Sequence, residues 1–213
     1  MLDDLLNNYY FQSIFYSVIF ILLSFAVIDT MKKRKIYIRD RFSIKNIDYK
    51  FLIKITCLSF FVRIIFEQFQ VYLNIQQSDV SFEITLWSIV VFFIARCIVA
   101  PITEEIVFRF GLYELINRKM KSTLAIILSS LIFSILHGYL FIDTILLAIL
   151  GIIWTYPYVK KKNLLYSIIL HFLHNCYALI DYANINNSYY IIFGIITFII
   201  WLLLELNKKR SNN

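Results

Sequence analysis

The sequence predicts an all-α, polytopic membrane helix bundle, and three observations carry that expectation. The chain of 213 residues is 60% hydrophobic and only 16% charged. Soluble domains run near 45–50% apolar and about 25% charged. Apolar windows of near-spanning length recur along the chain, where one crossing needs about 17–25 residues. Lysine and arginine alternate between the connections: every second one is basic and the others are blank.

The windows fall at 11–28, 51–73, 84–100 continuing into 101–116, 123–140, 142–158, 164–180 and 189–206, which makes about seven transmembrane helices. The first is not a cleaved leader: acidic Asp3 and Asp4 precede it, its positive charges follow it, and no small-residue cleavage site is evident. With two prolines and four glycines the spans should be mostly unbroken. Pro101 is the exception, placed to start a new helix or kink a continuing one.

Of the 21 basic residues, 18 follow the first, third, fifth and seventh windows, or edge the second. They are Lys32 to Lys54, Arg118 to Lys121, Lys160 to Lys162, and Lys208 to Arg210. The N-terminus and the connections near 74–83, 140–142 and 181–188 have none. The positive-inside rule then puts the N-terminus outside and the C-terminus in the cytoplasm. This asymmetry also accounts for the net charge of +7, so the chain gives no reason to expect nucleic acid as a partner. Tyr9, Tyr10, Tyr72, Tyr182, Tyr189 and Tyr190 at one set of span ends, with Tyr156, Tyr158 and Tyr166 at the other, read as interfacial belts. The basic segment 29–50 reads as a topology-setting anchor on the anionic cytoplasmic surface. The whole chain, 1–213, reads as one integral-membrane domain, without internal repeat or low-complexity linker. Cys57, Cys97 and Cys176 lie in apolar segments and offer neither a CxxC pair nor a disulfide framework.

Charge inside the apolar windows is the signal for function. Glu104, Glu105 and Arg109 follow Pro101 and Thr103. One charge in mid-bilayer costs roughly 2.5–3.5 kcal/mol on insertion scales. Glu105 and Arg109 are four apart with the acid leading, which predicts a salt bridge within the helix. Glu104 then points about 100° away and is free for proton chemistry. Two further polar groups lie in apolar windows: Phe133 to His137, and His171-Phe172-Leu173-His174-Asn175. His171 and Asn175 share a face and could donate to an oxyanion, or His171 could bind a metal. His174 points away and reads as a supporting residue. At 1.5 Å per residue, Glu104, His137, His171 and Asn175 lie ~20, ~21, ~10 and ~16 Å from the cytoplasmic ends of their helices. Within helix tilt they can meet. Zinc-protease HExxH, serine-elbow GxSxG and Gly-x-Gly-Asp motifs are absent from the sequence.

The segment Ala100-Pro101-Ile102-Thr103-Glu104-Glu105-Ile106-Val107-Phe108-Arg109 resembles the EExxxR signature of the CAAX prenyl protease and bacteriocin-processing family of intramembrane proteases, also called the Abi family. Phe133 to His137 resembles its FxxxH motif, and His171 to Asn175 its HxxxN motif. The resemblance covers a catalytic core at about 100–180. It implies an endopeptidase that hydrolyses a peptide bond in a peptide precursor or a membrane protein, from a site open to the cytoplasm. Glu104 and His137 would activate water; His171 and Asn175 would stabilise the oxyanion; Glu105 and Arg109 would support them. Members have also been described as metalloproteases, so Glu104, His137 and His171 could hold a divalent ion such as zinc. Members often carry glycine directly after the arginine; here Phe110 intervenes before Gly111. A composition rich in Ile, Phe, Asn, Lys and Tyr suggests an AT-rich bacterial gene, hence a bacterial plasma membrane. The runner-up reading is a bacteriocin self-immunity or regulatory protein that acts by binding. A third, a proton-coupled carrier using Arg63, Glu67 and Arg96, lacks the repeats and broken spans such carriers use.

Overall fold

The computed structural model describes residues 9–45, 47–75, 85–181 and 187–210. Among them lie seven helices, one short 3-10 turn and no strand. Asp3, Asp4 and Tyr182, and most of the connections 74–83 and 181–188, lie outside the described residues, as do the side chains of Tyr9, Tyr189 and Tyr190.

Helix α1 spans Tyr9–Lys33, α2 Tyr49–Tyr72, α4 Ser122–Ile135, α5 Phe141–Lys161, α6 Leu165–Asp181 and α7 Asn187–Arg210. Between α2 and α4 runs one rod of 32 residues, α3, Leu86–Asn117. Three of the seven, α1, α3 and α5, are long and apolar enough to cross a membrane. Helices α4, α6 and α7 are apolar but have shorter apolar stretches, and α2 carries Lys50, Lys54, Arg63 and Glu67 along its 24 residues. The chain is a multi-pass membrane protein. Its bundle is coated with apolar side chains such as Leu22, Phe25, Trp87 and Leu203, which a lipid environment solvates.

Pro101 neither starts a separate helix nor breaks one. It lies in an α-helical piece, Ala100–Glu105, set between two π-helical stretches, Phe93–Val99 and Ile106–Tyr113. The rod stays continuous because the wider register on each side absorbs the missing amide. The fourth window falls short of expectation. Helix α4 stops at Ile135, where a turn through Gly138 (φ +66°) reverses the chain. At 14 residues it is ~21 Å long, less than the ~30 Å hydrocarbon thickness.

Close approach of α1 to α3 is set by Gly111. A Cβ there would lie 2.7 Å from Val27 Cγ1. Phe110 is fully buried in a cluster with Met31, Tyr113, Tyr158 and Leu164. Gly111 therefore serves a helix crossing. Ser24 Oγ adds a hydrogen bond from α1 to the Thr103 carbonyl, 3.2 Å, beside the charged motif.

The basic segment after α1 is more than an anchor. Its 3-10 turn, Ile38–Arg41, is strapped to the α5–α6 junction. Leu164 N donates to Arg41 O at 2.7 Å, and Asn163 Nδ2 to Ser43 O at 2.7 Å. Arg41 Nε pairs with Glu114 Oε1 at 3.1 Å, and the Tyr158 hydroxyl donates to the same oxygen at 2.7 Å. Asp48 caps α2 through Phe51 N, and Lys161 Nζ donates to its other oxygen at 2.7 Å. On the far side of the bundle α2 pairs with α7, with Lys54 bonded to Glu205.

Two outcomes follow from this packing. Gly111→Ala should destabilise the protein by about 1–3 kcal/mol through overpacking; thermal unfolding in detergent measures it, and Val27→Ala in the same chain should restore most of the loss. The Lys161 ammonium and the Phe51 amide hold the Asp48 carboxyl below its ordinary range. Its stabilising effect is therefore complete above the unfolded-state value and is lost as pH falls through the lowered folded value. Asp48→Asn should flatten that acid-side loss in an unfolding series between about pH 5 and pH 2.

Candidate active site

Two helices and one turn deliver the site. Helix α3 brings Glu104, Glu105 and Arg109. The turn after α4 brings His137, and α6 brings His171, His174 and Asn175. Glu105 Oε2 lies 3.0 Å from Arg109 Nε, with side-chain exposures of 0% and 1%. A buried guanidinium at this depth needs more than one acid. Phe133 adds its ring face, 4.3 Å from Arg109 Cζ, while Nη1 and Nη2 stay buried without a hydrogen-bond partner.

Both histidines that face the acids are oriented from their Nδ1 side. Nδ1 of His137 is 2.7 Å from the Phe133 carbonyl, an acceptor only, so Nδ1 carries the proton. Nδ1 of His171 is 2.9 Å from Glu105 Oε1, whose charge is held by Arg109, so there too Nδ1 is the donor. In the neutral rings each Nε2 is left with a lone pair. Both Nε2 atoms converge on Glu104 Oε2, at 3.5 Å from His137 and 3.9 Å from His171. That oxygen is buried and has no hydrogen-bond partner. With both rings neutral, three proton acceptors share one small volume, and Glu104 Oε2 has no hydrogen-bond partner there. A water, a proton or a cation is what such a place binds.

The ring of His171 is clamped from both sides. Trp154 stacks on it with centroids 4.9 Å apart and planes at 23°, and Phe133 meets it edge-on at 5.8 Å. The Trp154 indole N–H donates to Ser59 Oγ at 3.0 Å, and Ser59 Oγ lies 2.7 Å from His174 Nε2. His174 stacks on Phe60 at 4.3 Å, and Arg63 Nη1 donates to its carbonyl at 3.0 Å. Arg63 is itself paired with Glu67 at 2.6 Å, and the Tyr177 hydroxyl donates to Glu67 at 2.9 Å. The sequence offers no sign of Ser59 or Trp154. One is an ordinary serine in an apolar helix, and the other is an aromatic among many.

Asn175 gives one amide hydrogen to the main chain of α3. Its Nδ2 donates to the Arg96 carbonyl at 2.6 Å. The proline explains why that carbonyl is open. In the π register the Ala100 amide reaches back five residues to Ala95 O. The next amide would reach Arg96 O, but residue 101 is proline and has none. Asn175 fills the gap from α6, and so ties α6 to α3 one turn from His171. The second amide hydrogen of Asn175 is the one left for other work.

The donor chemistry of Glu104, His137 and His171 suits zinc, and both imidazoles have the Nδ1 acceptor that metal-bound histidines use. Yet no group of three or more His, Cys, Asp or Glu among the described residues is arranged to hold an ion. The side chains present do not form a preformed metal cage.

Residues 86–177 match a family model described as type II CAAX prenyl endopeptidase Rce1-like. The matched segment, 92 of the 213 residues, carries the site and is similar to this family. Every one of Glu104, Glu105, Arg109, His137, His171 and Asn175 falls within it. That family is one of proteases, and the matched segment runs from the start of α3 to about a turn before the end of α6. No curated protein and no solved structure matches the chain.

The two adjacent acids should separate cleanly by stability. Glu105→Gln leaves Arg109 buried without its counter-charge and should cost about 3–5 kcal/mol. Glu104→Gln removes a carboxylate that no group satisfies and should leave the unfolding temperature within a few degrees of the parent. Paired melting curves in one detergent check both.

Proposed function

We propose that the protein is an intramembrane endopeptidase in which Glu104 and His137 activate water against a peptide carbonyl. The observation that supports this most is the unsatisfied Glu104 Oε2 facing two Nε2 lone pairs at 3.5 and 3.9 Å. A water placed there gives one proton to Glu104 Oε2 while its oxygen attacks the substrate carbonyl carbon. His137 Nε2 shares that proton and passes it to the departing amine nitrogen. A base placed in this way is worth typically 10²–10⁴-fold in rate. His171, entering the cycle with a proton taken from solvent on Nε2, donates it as a hydrogen bond to the oxyanion and keeps it, and Glu105 stabilises the imidazolium from Nδ1. The second amide hydrogen of Asn175 is the other candidate donor. Glu105 and Arg109 fix His171 and the rod.

The remaining parts of the reading follow from charge and composition. The seven helices cross the membrane with the N-terminus outside and the C-terminus in the cytoplasm of a bacterial cell. The substrate is a peptide precursor or a membrane protein that presents an unfolded segment to the pocket. Residues about 100–180 form the catalytic core of a single domain.

The test is a comparison of membrane proteome and secreted peptides between a deletion strain and strains expressing the parent, Glu104→Gln or His137→Ala. A substrate should be processed by the parent alone, with at least about a 10²-fold loss of cleavage in Glu104→Gln at equal protein level. Full processing by Glu104→Gln would remove the mechanism. Protection against a bacteriocin that survives both substitutions would favour the binding-only, self-immunity reading. Loss of cleavage on exhaustive chelation, restored by zinc, would add a metal to Glu104, His137 and His171.

A further inference from the structure

A cavity of about 180 Å³ lies where the basic strap crosses the ends of α3, α4 and α5, and it shares no residue with the active site. Its walls are polar and largely committed to one another. Arg41 Nε and the Tyr158 hydroxyl both donate to Glu114 Oε1, at 3.1 and 2.7 Å, and the Tyr113 and Ser122 hydroxyls are 3.0 Å apart. Three lining groups are left over among the described residues: Lys162 Nζ, the Asn117 amide and Glu114 Oε2, none of which makes a hydrogen bond. The lysine run at the end of α5 shows how Lys162 comes to be free. Lys160 donates to the Tyr156 hydroxyl at 3.1 Å and Lys161 to Asp48 at 2.7 Å. At Lys162 the backbone turns left-handed, φ +50°, which ends the helix and sets this lysine, unlike its two neighbours, on the cavity.

The leftover groups define the chemistry of a guest. Lys162 and Arg41 call for an anion, whereas an ionised Glu114 Oε2 only accepts, so the same guest must also bring a donor; Asn117 can meet either part. A bare phosphate would set its charge against the carboxylate, and a simple amine would meet two cations. Two cations and one carboxylate line the cavity, so one negative charge balances them. A glycerol phosphodiester carries that charge on its phosphate and has hydroxyls a few bonds away. The location agrees, since Arg118, Lys119 and Lys121 sit at the same helix ends and draw anionic headgroups to them. We propose that the cavity binds a glycerol phosphate group, the headgroup chemistry of phosphatidylglycerol. The phosphate rests on Lys162, which is exposed and forms the rim, and the glycerol hydroxyls donate to Glu114 Oε2 and Asn117. Bound in this way, the guest links the end of α3 to the end of α5 beside the strap.

The experiment uses the full chain in nanodiscs of phosphatidylcholine, alone or doped with phosphatidylglycerol, phosphatidylserine or phosphatidylethanolamine. The unfolding temperature is read in each, and retained lipid is counted by native mass spectrometry. Phosphatidylglycerol should raise the unfolding temperature more than the other two dopants and be retained as one molecule per chain. Lys162→Asn, which suits the left-handed backbone, should weaken that retention about fivefold, and Lys162→Gln repeats the test if the first variant folds poorly. Lys160→Gln should behave as the parent. Free glycerol phosphate and inorganic phosphate, added to phosphatidylcholine nanodiscs, separate a lipid from a soluble guest. Stabilisation by glycerol phosphate that matches the lipid's supports the site with a soluble occupant. Equal effects of phosphatidylserine or phosphatidylethanolamine, an equal effect of inorganic phosphate, or unchanged retention in both Lys162 variants would each overturn the proposal. No cleavage is read, so the outcome is independent of the proteolysis reading.

Discussion

The bundle is organised around one buried ion pair. Glu105 and Arg109 are almost without exposure, and each does a second job from that position. Glu105 holds His171 through Nδ1, and Arg109 lies on the face of Phe133, whose carbonyl in turn holds His137. The two imidazoles are thus oriented by a single motif, one through a carboxylate and the other through an aromatic residue one turn back on α4. Glu104 is left as the acid with no structural partner. Adjacent glutamates take opposite roles because a helix turns about 100° between them: one faces the cation, and the other faces the gap.

Around that centre the protein uses polar contacts sparingly but in series. His171 leans on Trp154, Trp154 bonds Ser59, and Ser59 meets His174. Arg63 then reaches the main chain of the same helix. Hydrogen bonds of this sort are modest one by one, yet each lost partner leaves a buried polar atom exposed to the full desolvation cost. Helix α2, which contributes no residue to the pocket, is therefore part of what keeps α6 in place.

The legible and illegible parts of the sequence differ for physical reasons. The Glu105–Arg109 pair is visible because a spacing of four puts both on one helix face whatever surrounds them. The meeting of Glu104, His137 and His171 is visible because charge and imidazole are scarce in apolar windows and their depths agree. The Glu105–His171 bond is not, since spacing along a chain does not say which helices touch. The π register around Pro101 is hidden because nearly every neighbouring side chain is apolar, so no periodicity marks a change of winding. The bond from Asn175 to the Arg96 carbonyl depends on that register and is hidden with it. The end of α4 at Ile135 escapes a hydropathy window because Leu136, Tyr139 and Leu140 continue the apolar run past the turn.

That early stop has a further consequence. A helix ~21 Å long is shorter than a hydrocarbon slab of ~30 Å, and where such a helix crosses, the bilayer thins or the headgroups sag toward its end. Peptide hydrolysis consumes a solvent molecule in every cycle, and oil is a poor reservoir for it. On the proposed orientation, a dip of the aqueous phase at the end of α4 would reach His137 from the side opposite the basic connections, a second way in for the water that the proposed hydrolysis consumes.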